Sequence, residues 1–336
     1  MLAIFTPHWQ GRLMDDVIAV DDGISADRAL RLINRGSALL WTGDFQNAKQ
    51  LLAALGRRVP AIRIGSFPNQ RRRQAERVRV LNALLIPLAD HRVPLRRAPD
   101  VRAACDQAYG PSGGERTVPL RELLGVIGAH QLRLRGVHVP ALGDRIHPHY
   151  GVFAPTRSEY ADLVAEQPLP AAGTAFDVGT GTGVLTAILA RRGVRQLVAT
   201  DNNPRAVACA RSNLARLQVT ATVLETDLFP PGTADLIVCN PPWIPAKPLT
   251  PLDQAVYDED SRMLRDFLGK SREHLRPGGE VWLVMSDLAE HLGLRQPDEI
   301  PLLARTAGLT LSGRRHVSPH HTRARAQETT SLWRLT

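Results

Sequence analysis

The sequence predicts an α/β chain, in which a mainly helical N-terminal domain (residues 1–135) and a hairpin with a lead-in segment (136–156) precede a doubly wound α/β domain (157–336). Three observations carry this expectation. From residue 174 onward, short β-branched or apolar runs alternate with helix-like stretches. A glycine-rich turn follows the first of those runs. Before residue 136 that alternation is missing, and apolar side chains recur at helical spacing instead.

In the N-terminal part, Asp27 to Ile33 has the apolar spacing of a helix, and Gly36 can end it. Asn47 to Arg58 repeats the pattern, with Leu51, Leu52 and Leu55 on one face. Asn69 to Leu85 follows Pro68 and carries Arg71, Arg72, Arg73, Arg77 and Arg79 on more than one face, which marks a basic surface. Pro99, Gly110, Pro111, Gly113 and Gly114 make 96–118 read as a loop or linker. Arg121 to Arg135 reads as a connecting helix, and Val137 to Ala154 as a hairpin with turns at Pro140 and Gly143-Asp144. In the C-terminal part the expected strands are Ala175–Val178, Leu197–Thr200, Ala221–Leu224, Leu236–Cys239 and Val281–Met285, with a last one over Glu328–Leu335. Runs apolar on both faces suit central parallel strands covered by helices on each side.

At 336 residues, with 43% hydrophobic and 22% charged residues, the chain is long enough for two buried cores. Its net charge of +9 is unevenly distributed. Residues 1–150 hold 22 Lys+Arg against 13 Asp+Glu, whereas the remainder is balanced at 20 of each sign. A basic domain suits a polyanionic partner, because neutralised phosphates release counterions; an arginine-rich solvated surface is the alternative. No apolar run reaches the ~20 residues that span a bilayer, and the N-terminus makes a poor signal peptide, so no membrane partner is expected. Cys105, Cys209 and Cys239 show no paired spacing, which disfavours a disulfide framework or zinc site and fits a reducing cytoplasm.

The turn Asp177-Val178-Gly179-Thr180-Gly181-Thr182-Gly183 opens a helix at Val184. Glycines there let the backbone turn sharply and approach a ligand. A dinucleotide fingerprint would place its third glycine at 184, where this chain has valine, so a nucleoside carrying an amino-acid tail is the better fit. Asp177 could meet a ligand ammonium directly or through water. Asp201, at the end of the second strand, can accept from both ribose hydroxyls. Asp227, after the third strand, can accept from an adenine amino group.

The fourth strand runs directly into Asn240-Pro241-Pro242-Trp243. Two prolines lack N–H donors and end the strand, and Pro241 holds Asn240 toward extended geometry. The Asn240 carboxamide oxygen and the Pro241 carbonyl can then accept the two hydrogens of a planar amino group, aiming its lone pair at a methyl carbon on sulfonium. Trp243 offers a flat apolar face for stacking. Such a nitrogen is a poor nucleophile because its lone pair is delocalised, and positioning can substitute for a strong base.

Taken together, these motifs resemble those of class I S-adenosylmethionine-dependent methyltransferases. More narrowly, residues of about 150–336 are similar to the small-domain group that includes ribosomal RNA guanine-N2 and release-factor glutamine-N5 methyltransferases. The resemblance implies S-adenosyl-L-methionine as cofactor and a Rossmann-like seven-stranded sheet in the order 3-2-1-4-5-7-6, with the last strand antiparallel. The lead-in Tyr150 to Glu159 is similar to the segment that closes over the cofactor in these families, and its Gly151-Val152-Phe153 resembles the ribosomal RNA enzymes. Tryptophan stands at 243 where the glutamine enzymes typically carry tyrosine and the guanine enzymes phenylalanine. The expected catalytic set is Asn240, Pro241, Pro242 and Trp243. The expected cofactor contacts are Phe153, Pro155, Asp177, Gly179, Thr180, Gly181, Gly183, Asp201, Asn202, Asp227, Leu228 and Asn240.

His147 and His149, like His316, His320 and His321, have no spacing that fits a known ligand set, and methyl transfer from a sulfonium needs no metal; none is expected. Asp258, Glu259 and Asp260 read as a capping cluster before a leucine-rich helix. The substrate expectation is an RNA base, then a glutamine side chain in a translation factor or ribosomal protein. A small metabolite and a non-enzymatic binding module with a vestigial cofactor site follow behind.

Overall fold

Alternate residues of the apolar runs after residue 174 are buried against opposite faces, and this period of two builds the sheet of the second unit. Ala175, Leu197, Ala199, Leu236, Val238, Trp282 and Leu332 pack on one side, with helices α6 (Glu159–Glu166), α7 (Val184–Arg191) and α8 (Pro204–Arg216). Phe176, Val178, Ile237, Cys239, Val281, Leu283 and Trp333 pack on the other, with α9 (Arg262–Ser271) and α11 (Glu299–Thr306). The computed structural model describes residues 16–59, 66–111, 113–171, 173–249, 253, 255–318 and 328–336. It divides into two units, Met1–Gln131 and Leu132–Thr336, so the boundary falls inside helix α5 (Leu120–Arg135) and the hairpin belongs to the second unit.

The second unit contains β7 (Thr174–Val178), β8 (Gln196–Asp201), β9 (Thr222–Glu225), β10 (Ala234–Cys239), β11 (Leu275–Ser286), β12 (Leu311–Val317) and β13 (Thr330–Leu335). Their spatial order is β12-β13-β11-β10-β7-β8-β9, which reads 3-2-1-4-5-7-6 when the seven are counted from β7. The pairs from β9 to β11 are parallel, and β13 lies antiparallel between β11 and β12. Every parallel strand from β7 to β10 therefore ends on the same edge, where ligands of such sheets bind. Ahead of this sheet, β5 (Val137–Val139) and β6 (Asp144–Ile146) form the short hairpin.

The first unit is mostly helical and adds a small sheet that the sequence reading did not include. Helices α1 (Ala26–Asn34), α2 (Phe45–Arg58) and α3 (Phe67–Asn82) are present, but they cover a four-stranded sheet. Its strands are β1 (Val17–Val20), β2 (Ala38–Trp41), β3 (Leu84–Ala89) and β4 (Glu115–Pro119), the first three parallel and β4 antiparallel to β3. Four-residue apolar runs carry too little periodicity to separate strand from helix, so they pass as parts of neighbouring helices. The stretch 96–118 is likewise more than a linker, since it holds α4 (Arg102–Tyr109) and the start of β4. Two of the five α3 arginines hold helix ends: Arg77 donates to the Gly56 and Val59 carbonyls at the end of α2, and Arg79 to the Ile33 carbonyl and the Asn34 side chain at the end of α1. Among the described residues no helix is long and apolar enough to cross a membrane.

Candidate active site

The strand ends of the second unit converge on one cavity of about 810 Å³, within the range of small-molecule sites. The turn after β7 forms one wall. Gly179, Gly181 and Gly183 all sit in the left-handed region, at φ of 71°, 56° and 81°. A Cβ at Gly181 would meet nothing within 4 Å, so any side chain there would occupy space a ligand could use. Gly183 serves a different purpose. A Cβ there would stand 3.2 Å from the Ala210 Cα, so this glycine permits α7 to pack on α8 and does not line the cavity.

Asp177 lies behind the turn rather than in front of it. It is buried, and its Oδ2 accepts from the Thr180 hydroxyl (2.7 Å), the Thr186 hydroxyl (2.6 Å) and the Thr186 N–H (3.0 Å). Burial pushes its pKa above the ordinary carboxylate value, against the pull of those hydrogen bonds. Its Oδ1 has no hydrogen-bond partner among the described residues. Asp201 is at the end of β8 and does line the cavity. Its Oδ2 accepts from the Gly181 N–H at 3.0 Å and its Oδ1 from the Asn203 N–H at 2.9 Å, while burial raises its pKa as well. Asn202 donates to Asp227 at 3.4 Å across the neighbouring strand ends. Leu228 has φ of 61°, an unusual conformation for a branched side chain and a mark of a constrained site.

At the tip of β10, Trp243 donates its indole N–H to the Asn240 Oδ1 at 3.0 Å. The Arg157 guanidinium carbon is 5.1 Å from the centroid of the Trp243 ring. Arg157 is itself held by two buried carboxylates, Glu159 at 2.5 Å and Glu328 at 2.9 Å, and Glu328 also accepts from Ser286. Burial works against the charge on Arg157, but the two carboxylates outweigh it and hold its pKa above the ordinary value. The expected bare stacking face on Trp243 is thus covered on one side. The Asn240 oxygen keeps one of its two acceptor positions for another donor.

The opposite wall comes from residues 255–266. Asp258 caps α9 by accepting from the Met263 and Leu264 N–H groups, as a capping residue should, and it also lines the cavity with Glu259 and Asp260. Backbone bonds from Ile244 to Val256 and from Asp258 to Ile244 tie this wall to the β10 tip.

Of the expected contacts, Phe153, Gly179, Thr180, Gly181, Asp201, Asn202, Asp227, Leu228 and the whole Asn240-Pro241-Pro242-Trp243 run line this one cavity. Pro155, Asp177 and Gly183 do not: the first two are buried beside it, and the third is taken up by helix packing. Two residues that sequence reasoning missed organise the site. Arg157 is one. The other is Asn213, buried on α8, whose amide donates to the Thr182 carbonyl (3.1 Å) and the His147 carbonyl (3.2 Å) and whose oxygen accepts from the His147 N–H (2.8 Å). It fastens the glycine turn to the hairpin, and nothing local in the sequence distinguishes it from any other helical asparagine.

Burial, aided by the Arg133 charge, lowers the His149 pKa to about 4, so its ring is neutral near pH 7. His320 and His321 lie outside the described residues. Among the described residues no group of three His, Cys, Asp or Glu side chains is placed to hold a metal ion.

Residues 144–296 match the family model of the methyltransferase small domain. The release factor glutamine methyltransferase of Geobacter sulfurreducens is 30% identical over 41% of this chain and 53% of its own length. The ribosomal RNA small subunit methyltransferase C of Alcanivorax borkumensis is 32% identical over 33% of this chain and 32% of its own. A tRNA1(Val) (adenine(37)-N6)-methyltransferase of Parabacteroides distasonis is 35% identical over 43% and 62%. The chain thus spans between about a third and about three-fifths of these relatives. A methyltransferase structure from Pyrococcus furiosus aligns over 64% of this chain and 98% of its own, at 17% identity and a TM-score of 0.44. Over residues 144–296, this chain is thus similar to the methyltransferase small domain family.

Proposed function

We propose that this chain transfers a methyl group from S-adenosyl-L-methionine to the nitrogen of a planar amino group, and that the amino group belongs to an RNA base. One observation carries the chemistry: the glycine turn, Asp201 and Asp227 line the same cavity as the Asn240-Pro241-Pro242-Trp243 tip. The residues fit the cofactor. Gly181 leaves room at the turn, Asp201 offers a carboxylate for a ribose, and Asp227 offers one for the adenine end. Bound there, the cofactor supplies an electrophilic methyl group.

The chain's own residues do the rest. The Asn240 oxygen and the Pro241 carbonyl receive the amino hydrogens, and the prolines hold both acceptors still. No histidine, lysine or cysteine is among the described lining residues, so positioning supports the attack, and the proton the nitrogen then sheds passes to solvent or to a lining carboxylate such as Asp258.

The RNA assignment rests on the excess positive charge of residues 1–150. A glutamine side chain in a translation protein is the second reading. It is favoured by the carboxylates Asp258, Glu259 and Asp260 on the cavity wall, which repel phosphates. Three unpaired, buried thiols suit a reducing compartment, and this reading places the chain in the cytoplasm. The test is to incubate the chain and methyl-labelled cofactor with cell lysate, then divide the label between nuclease- and protease-sensitive fractions. Label released by nuclease supports RNA, label released by protease supports glutamine, and no label at all rejects the transfer.

A further inference from the structure

We propose that Trp243 is a positioning residue that locks the Asn240 carboxamide with its oxygen, rather than its nitrogen, available to the substrate amino group. This inference rests on the proposed N-methylation. A carboxamide has two orientations of nearly identical shape, one presenting an acceptor and the other two donors. Only the first can receive an amino hydrogen; the second opposes donor to donor. The backbone before Pro241 fixes where the side chain points but not which of its two ends faces forward.

The indole N–H decides between them because it can only donate. At 3.0 Å it requires an acceptor from Asn240, so Oδ1 is held at that position with its other acceptor direction left over. The ring is in turn kept from swinging away by Arg157, 5.1 Å above it. Glu159, two residues on in sequence, and Glu328, 171 residues away, together fix that guanidinium. Four side chains thus act in series on one rotamer. The arrangement also accounts for tryptophan at this position, since phenylalanine has no donor and a tyrosine hydroxyl lies at the far end of its ring.

The test uses the full chain and a lysate from cells lacking it as methyl acceptor. Trp243→Phe is expected to lower the initial labelling rate at saturating cofactor about fivefold, the effect of one net hydrogen bond. Its cofactor affinity by calorimetry should stay within about twofold, and its thermal midpoint should show that it is folded. Trp243→Phe labelling at the wild-type rate overturns the lock and leaves the N-methylation intact. A wild-type chain that labels nothing overturns the underlying reading instead. An independent measurement needs no substrate: in the indole region of a 15N-edited spectrum, Asn240→Ala should shift the Trp243 N–H and speed its exchange with solvent about tenfold, the order expected when a hydrogen bond is lost. An unchanged Trp243 resonance also overturns the proposal.

Discussion

Replacing Asp201 by asparagine separates cofactor binding from folding. The carboxylate has two backbone donors on it, Asn203 N–H on one oxygen and Gly181 N–H on the other. Asparagine keeps one acceptor and turns the other oxygen into a donor that faces an N–H. Hydrogen bonds to a charged acceptor contribute about 1.5–3 kcal/mol each, so one backbone bond at the glycine turn is lost and its donor left facing another. Under the proposed function the same carboxylate also receives ribose hydroxyls, and half of that capacity goes too. Asp201→Asn should therefore weaken cofactor binding by about 2 kcal/mol, roughly thirtyfold in Kd. Stability should move much less, because burial already disfavours the charge that the substitution removes. Calorimetric titration at pH 7.5 measures the first quantity and a thermal scan without cofactor the second. A variant that binds within about threefold of wild type would refute the assignment of Asp201 to the ribose.

Asn240→Ala should reduce methyl transfer at least about a hundredfold while leaving cofactor Kd within about threefold, because under the proposed function the side chain acts on the incoming amino group in the transition state; single-turnover labelling beside calorimetry checks the split. Asn213→Leu removes three hydrogen bonds between the glycine turn, α8 and the hairpin, and should cost about 3 kcal/mol in urea unfolding of the second unit at about 1 kcal/mol each. Asp177 has a raised pKa in the folded chain, so the stability it contributes is complete below the ordinary carboxylate pKa and is lost as pH rises through the folded value. Thermal midpoints of wild type and Asp177→Asn should accordingly shift in favour of wild type as pH falls from about 8 to about 4.5; a gap independent of pH would contradict the burial argument. Burial pushes the Cys105 and Cys209 thiols up to about 11 and Cys239 well above its ordinary value, so a bulky thiol reagent at pH 8 should find no reactive group until denaturant exposes all three.

The C-terminal fold was legible in the sequence wherever strands are buried on both faces. Phe176 and Val178 go to one side while Ala175 goes to the other, and such runs are unmistakable at five places. The exposed edge strand β12, Leu311–Val317, has no apolar pattern to read, because arginines, glycine and histidine interrupt it. In the first unit, β1 and β2 are four residues each, and only the tertiary pairing Val17–Val20 with Ala38–Trp41 identifies them as strands. The site shows the same division. Motifs that are continuous in sequence, such as Gly179–Gly181 and Asn240–Trp243, were found because their chemistry is local. Asp177 is local too, but its direction is not: the sequence places a carboxylate at a strand end, and only packing turns it inward onto Thr180 and Thr186. Asn213 escaped because its partners lie far off along the chain, and Arg157 because Glu328 and the Trp243 ring do.

The insertion of β13 between β11 and β12 sets a timetable for maturation. Leu311–Val317 has its ladder partner only in Thr330–Leu335, so during synthesis this stretch waits unpaired and the edge of β11 stays open. Glu328, which steadies Arg157, arrives at the same moment. A nascent polypeptide halted before these residues would already possess the glycine turn and Asp201, yet one of the two carboxylates that hold Arg157 against Trp243 would be missing. The parts that line the cofactor end of the cavity are thus complete in the growing chain before the last brace of the Trp243 side is.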